Sequence, residues 1–292
     1  MGMEPGQISI PARSRRQVMD WGLVLASQGI EAFLHRSEEG WELVVDARDY
    51  ERAQEHIRQY RAENRGWRWR QPLPATGILF HWGSAGWAAA ILVAYYWSMV
   101  LFPAAVQAGI MDGNAVGKGQ WWRLFTAESL HENLPHLMAN ATTGFILLGA
   151  AMARYGAGIG LLAAFLAGAA GNVAGWAFYP RPYLSLGASG MVMGALGLIS
   201  AQSFAVWRIY RSGAQLFFRA FAAGVLILVL LGFSPKSDVV AHVGGFATGT
   251  LFGGVLGHWR PETLQRGAPN ATAMAALAAL YLATWFLAWR LA

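Results

Sequence analysis

From residue 82 onward the chain is a succession of apolar runs, at 82–102, 136–153, 157–178, 189–207, 216–232, 241–257 and 273–289, with most charges confined between them. Each run is close to the roughly 20 residues that cross a bilayer as a helix. In a membrane every backbone amide must be satisfied inside its own segment, so runs of this kind fold as helices packed side by side. Only 13% of the residues are charged, against about 25% in an average soluble domain, and 55% are hydrophobic. The reading is an all-α polytopic membrane protein with seven spanning helices.

The net charge of +6 does not point to nucleic acid, because the basic residues concentrate at the N-terminus and in short connections between runs. That is the pattern expected of cytosolic loops. Arg154, then Arg208, Arg211 and Arg219, then Arg260 and Arg266 fall on the side of the basic N-terminal region. Lys118, Arg123, Arg181 and Lys236 fall on the other. The absence of cysteine excludes disulfides, thiolate metal sites and a cysteine nucleophile. The polar N-terminus has no apolar h-region, which predicts no cleavable signal peptide.

Residues 1–70 read as a small soluble α+β domain of βαββα order. A strand is expected near 7–10, a helix capped by the Ser14-x-x-Gln17 box, a hairpin over 30–45, and a charged helix capped by Asp46 or Asp49. Residues 71–80 link it to the membrane, preceded by Trp67 and Trp69 among arginines, a pattern suited to an anionic membrane surface. A membrane core follows over 81–257. Residues 258–292 hold a cytosolic loop and the seventh helix.

Three polar groups begin helices on the external side. Ser189 lies in Gly187-Ala188-Ser189-Gly190, at the start of the fourth run, and His242 opens the sixth. Gly245, Gly249, Gly253 and Gly257 recur every fourth residue behind His242, and Gly190, Gly194 and Gly197 thin the fourth run. Small residues at this spacing let two helices meet backbone to backbone. If those faces meet, the hydroxyl and imidazole come within hydrogen-bond reach, and neutral imidazole is suited to take the proton of a serine near pH 7. The competing reading is that His242 is an interfacial residue and the glycines only pack. His136 and Asn140, four apart, share a face of the second run and can donate to a developing oxyanion. They can equally serve as a packing hydrogen bond. His131-Glu132-Asn133-Leu134-Pro135-His136 has one residue too many for the H-E-x-x-H zinc motif, and Pro135 interrupts it, so no metal site is expected. Asp112 and Asp238 read as isolated loop acids.

Taken together, Trp122-Arg123, His131, His136-x-x-x-Asn140, Gly187-Ala188-Ser189-Gly190, and Ala241-His242 with Gly245 and Gly249 resemble the rhomboid family of intramembrane serine proteases, in family order over about residues 80–257. The resemblance implies a six-helix core, here with an extra C-terminal helix, in a bacterial inner (plasma) membrane with the N-terminus cytoplasmic. It implies Ser189 as nucleophile, His242 as base, and an oxyanion hole from His136, Asn140 and the Ser189 amide. Gly245 would allow close packing, Trp122 and Arg123 would belong to a structural loop lying partly in the membrane, and His131 would lie near the site. The implied partners are transmembrane segments of membrane-protein substrates and the lipid bilayer, with no nucleic acid and no cofactor. Met193 stands where the family often carries an aromatic ring against the catalytic histidine; its thioether can still contact that ring. The alternative is a non-catalytic rhomboid-like protein that binds membrane clients. A transporter would want inverted repeats, which are not seen.

Overall fold

A computed structural model describes residues 6–37, 40–64, 80–202, 213–233 and 237–291. The basic-aromatic segment at 65–79, the end of the fourth run with Arg208 and Arg211, and Lys236 lie outside them. The chain divides into two compact units, Met1–Ala75 and Thr76–Ala292.

The first unit is a three-stranded antiparallel sheet with β1 (Gln7–Ala12) beside β3 (Gly40–Asp46) and β3 beside β2 (Ala32–Ser37). Two helices, α1 (Arg15–Ser27) and α2 (Tyr50–Glu63), complete it. Ile10, Val18, Trp21, Leu25, Leu43, Val45 and Ile57 form its core. The Ser14 cap is present, its Oγ accepting from the Gln17 amide at 3.2 Å; Gln17 Oε1 reaches one residue beyond a capping box and accepts from the Arg13 amide at 2.6 Å. Neither candidate aspartate caps α2 through its side chain: Asp46 caps the tight turn Ala47–Asp49 ahead of it by accepting from the Arg48 amide, and Asp49, at the N-cap of α2, makes no side-chain cap.

In the second unit, α3 (Gly83–Tyr96) widens into a π turn at Trp97–Leu101. The connection that follows holds α4 (Ala104–Gly109), β4 (Met111–Asp112), α5 (Gly113–Gly117), α6 (Arg123–Thr126) and a tight turn at Ala127–Ser129. Then come α7 (Leu134–Tyr155), α8 (Ala157–Phe178), β5 (Leu184–Ser185) paired with β4, α9 (Ser189–Ala201), α10 (Gly213–Gly232), α11 (Val239–Leu256), the short α12 (Pro261–Leu264) and α13 (Gly267–Leu291). Among the described residues five helices are long and apolar enough to cross a membrane, and two apolar ones are shorter. This is a multi-pass membrane protein of rhomboid-like six-helix plan with a seventh, C-terminal helix and a small α+β domain ahead of it.

Helix α9 is the hub. Eleven of its 13 residues are buried, so neighbouring helices rather than lipid surround it. Its closest partner is α11, where the glycine stripe leaves bare backbone. A methyl group built on Gly245 would collide with the Gly190 carbonyl oxygen, one on Gly249 with the Gly194 carbonyl, and one on Gly197 with the Phe246 carbonyl. Tyr155 at the end of α7 donates to the Leu198 carbonyl at 2.8 Å and ties α9 from another side.

The seventh helix begins at Gly267, six residues before the expected start, because Pro269 is tolerated in a first turn that needs no amide from it. This earlier start places Asn270 where its Oδ1 accepts from the Gly158 and Ile159 amides, at 2.9 and 3.2 Å. One side chain of α13 thereby caps the N-terminus of α8.

Substituting Gly249→Val should force α9 and α11 apart and cost at least the 1–3 kcal/mol typical of overpacking, since backbone cannot step aside as a side chain does. Unfolding in mixed micelles is the measurement. A variant as stable as the parent chain would contradict backbone-to-backbone packing here.

Candidate active site

The polar side chains of the site come from the starts of three helices, α7, α9 and α11. Asn133 caps α7, accepting from the His136 amide at 2.9 Å, and Pro135 sits in the first turn. Asp238 caps α11, accepting from the Ala241 amide at 3.0 Å, so His242 falls in its first turn. Helix α9 differs, for Ala188 occupies the cap position and offers no side-chain acceptor. Its first amides are left uncapped at the positive end of the helix dipole, where an anion is favoured.

Ser189 Oγ lies 2.8 Å from His242 Nε2, and His242 Nδ1 lies 2.8 Å from the Gly232 carbonyl oxygen at the end of α10. A carbonyl only accepts, so Nδ1 carries the proton and donates to Gly232. In neutral imidazole Nε2 is then bare and accepts from the Ser189 hydroxyl. The ring is 5% exposed, and its tautomer is fixed by backbone alone. Met193 is buried with Val192, Leu196, Leu228 and Phe246 in the apolar cluster alongside.

The other face of Ser189 is set by Gly187, whose φ of +126° is a conformation that side chains rarely adopt. A Cβ there would strike the His136 ring, 2.8 Å from Nε2, and stand 3.6 Å from Asn140 Nδ2. Glycine thus lets the His136 ring close in on the start of α9, with Asn140 beside it. Asn140 is buried and donates to the His136 carbonyl at 3.2 Å, leaving its second N–H available.

The connection before α7 supports this arrangement. Arg123, nearly buried, bonds Gln120 Oε1 at 2.6 Å and the carbonyls of Gln107 and Ile110 at 2.8 Å each. Trp122 packs with Ala105, Leu130 and Trp285. From that framework the Ala127 carbonyl accepts the Gly187 amide at 2.9 Å, and His131 Nε2 accepts the Ala188 amide at 3.4 Å. Burial lowers the His131 imidazole to about 4, the charge of His136 acts in the same direction, and the Ser129 backbone opposes both. His131 and His136 meet edge to face with centroids 5.3 Å apart.

Asp238 corrects the sequence reading, which left it as an isolated loop acid. Besides capping α11 it accepts from Tyr183 Oη at 2.5 Å, and Tyr179 Oη accepts from the Val240 amide at 3.3 Å. Tyr183 is buried, and burial together with the Asp238 carboxylate pushes its phenol far up. The His242 amide bonds the Asp238 carbonyl. The signal was legible: an aspartate immediately before an apolar run, in the cap position. Asp112 is likewise a cap, accepting from the Asn114 and Ala115 amides at the start of α5. Glu128, not singled out from the sequence, is buried in the turn between Arg123 and His131.

Loss of the cap in Asp238→Ala should cost about 1 kcal/mol and displace His242; Tyr183→Phe keeps the cap and removes only the cross-link. A graded loss of Ser189 reactivity, Asp238→Ala below Tyr183→Phe below parent, is the expected result, and equal reactivity in all three would contradict it. Because His131 stays neutral when folded but takes up a proton when unfolded, stability held above pH 6.5 should fall as pH drops towards 4. His131→Asn should flatten that part of the stability profile, and an unchanged slope would show that His131 is not its source.

A family model described as the Rhomboid domain matches residues 118–259, which contain Ser189, His242, His136, Asn140, Gly187 and Asp238. The rhomboid protease GluP of Bacillus subtilis (strain 168) is 30% identical over 183 residues, covering 61% of this chain and 34% of the relative. RHOMBOID-like protein 4 of Arabidopsis thaliana is 38% identical over 156 residues, covering 51% and 37%. RHOMBOID-like protein 5 of the same plant is 31% identical over 169 residues, covering 53% and 50%. The chain thus spans between about a third and a half of the length of these relatives. With the fold, these matches identify residues 118–259 as a rhomboid domain.

Proposed function

We propose that the protein is an intramembrane serine endopeptidase that hydrolyses peptide bonds in or beside transmembrane segments of other membrane proteins. The reading rests on the 2.8 Å approach of Ser189 Oγ to His242 Nε2, with the imidazole held in the tautomer that leaves Nε2 free to accept. It is supported by the likeness to a named rhomboid protease.

In the proposed reaction Ser189 Oγ attacks the scissile carbonyl as its proton passes to His242 Nε2. The new alkoxide is proposed to face His136, an Asn140 N–H and the Ser189 amide, which can donate to it. Collapse of this intermediate breaks the C–N bond, and Nε2 returns its proton to the leaving amine. Water then attacks the acyl-serine, giving its proton to Nε2 and releasing the new carboxylic acid and the free hydroxyl. No carboxylate takes part, and the Gly232 carbonyl steadies the imidazolium at each proton transfer. A helical peptide group is hydrogen-bonded within its own segment and screened by side chains, so a substrate helix must unwind to present its carbonyl. Gly- or Pro-weakened segments near the external face are the proposed substrates. The proposed setting is a bacterial inner membrane with the N-terminal domain cytoplasmic.

A fluorophosphonate probe should label Ser189 in the purified protein. Labelling, and cleavage of a transmembrane reporter, should fall by about a thousandfold or more in Ser189→Ala and in His242→Ala. Parent protein that is folded yet unlabelled, and whose cellular effects survive Ser189→Ala, would instead make it a non-catalytic client-binding member.

A further inference from the structure

Helices α3 and α13 frame a crevice that the described residues leave open. Each helix, α3 with its π turn, is long and apolar enough to cross a membrane. Yet α3 packs chiefly on α7, and α13 on α8, so the two flank the crevice rather than press on each other along their length. They meet towards their C-terminal ends, where the Trp97 ring lies edge to face with Trp285 and Trp289 at centroid distances of 5.4 and 5.8 Å. These rings close one end of the crevice.

The cavity has a volume of about 660 Å³. Ala90 and Ala94 line it from α3, Leu277 and Ala278 from α13, and the buried Phe165 of α8 and Met191 of α9 form its inner wall. The polar residues at its edge are turned or tied elsewhere. Both Glu128 carboxylate oxygens are buried, and Oε2 packs against Gly168 of α8, where a Cβ would collide with it. The Ser129 hydroxyl donates to the Thr126 carbonyl at 2.9 Å. Hydrocarbon is therefore what the wall presents. Val93 and Trp289 at the rim are exposed, as are Ala90 and Ala278, so the crevice opens sideways to the medium around the two helices.

Between two membrane-crossing helices that medium is lipid. An apolar cavity does not hold water, and walls left bare would forfeit their dispersion contacts. Size decides between the hydrocarbon occupants of a bilayer. From Trp87 to Trp97 the α3 wall rises by about 15 Å. A helix about 10 Å across and 15 Å long fills about 1,200 Å³, which is too large. A single acyl chain is slender, and about 15 Å is half of the roughly 30 Å hydrocarbon core, the depth a chain reaches from one leaflet.

We infer that the crevice between α3 and α13 is a binding site for one acyl chain of a bilayer phospholipid, held along its length against Phe165 and Met191. The site rests on the membrane setting of the two helices and is independent of the chemistry at Ser189.

The test places the full chain in vesicles of dioleoyl phosphatidylcholine doped with a phosphatidylcholine that carries a photoactivatable diazirine in its acyl chain. Crosslinked residues are mapped by mass spectrometry. The exposed apolar stretch 226–230 of α10 reports ordinary lipid contact. Crosslinks should be at least tenfold denser at Ala90, Ala94, Leu277 and Ala278 than on that stretch. Ala278→Trp should fill the crevice and bring its crosslinks down to the α10 level; Ala90→Trp fills it from the other wall and serves if the first variant does not fold. In maltoside micelles, native mass spectrometry should find one phospholipid retained by the parent chain and lost from the filled variant. Crosslinks no denser in the crevice than on α10, or undiminished in the filled variants, would overturn the assignment. Retention of a free fatty acid in place of phospholipid, or crosslinks from a second copy of the chain at these residues, would overturn it too.

Discussion

Two helices that meet backbone to backbone at their glycines form the centre of the membrane unit. At those glycines no side chain cushions the contact between α9 and α11, so carbonyl oxygens of one helix stand where methyl groups of the other would have to be. In a bilayer there is no hydrophobic force between such helices, because lipid tails are as apolar as the side chains they would replace. Close dispersion contact supplies the attraction, and it is lost steeply with separation. The same closeness sets the distance between Ser189 and His242, whose Cα atoms belong to the two facing helices. Packing and reactive geometry are therefore one constraint.

The remaining elements bear on this pair from outside. Arg123 turns a long connection into a rigid support whose carbonyl at Ala127 and imidazole at His131 fix Gly187 and Ala188. Asp238, Tyr183 and Tyr179 hold the start of α11 from the opposite side. Helix α13 is fastened to α8 through Asn270, a polar joint in an otherwise apolar contact. In each case a few side-chain bonds to backbone define a position that apolar packing alone would leave free to slide.

Much of this was legible in the sequence because it is written in periodicity and punctuation. The apolar runs gave the helices, with the end of the fourth lying outside the described residues. The four-residue glycine repeat gave the face of α11, and the i, i+4 spacing of His136 and Asn140 placed them on one side of α7. What the sequence did not announce depends on backbone atoms or on distant pairings. The Gly232 carbonyl that fixes the His242 tautomer has no side-chain signature at all. The cap at Asp238 is legible, but its bond to Tyr183, 55 residues away, is not. Glu128 reads as one charge in a polar connection, and only the fold shows that it is buried.

The anchoring of the imidazole to a main-chain oxygen has a consequence for how such a site is inventoried. Stripping side chains one at a time would register a hydroxyl and a ring as indispensable and find no third member, although the ring is gripped at both nitrogens. That hidden support responds only to movements of the chain around residue 232, so what would elsewhere be a third residue's identity is here a matter of where one helix ends.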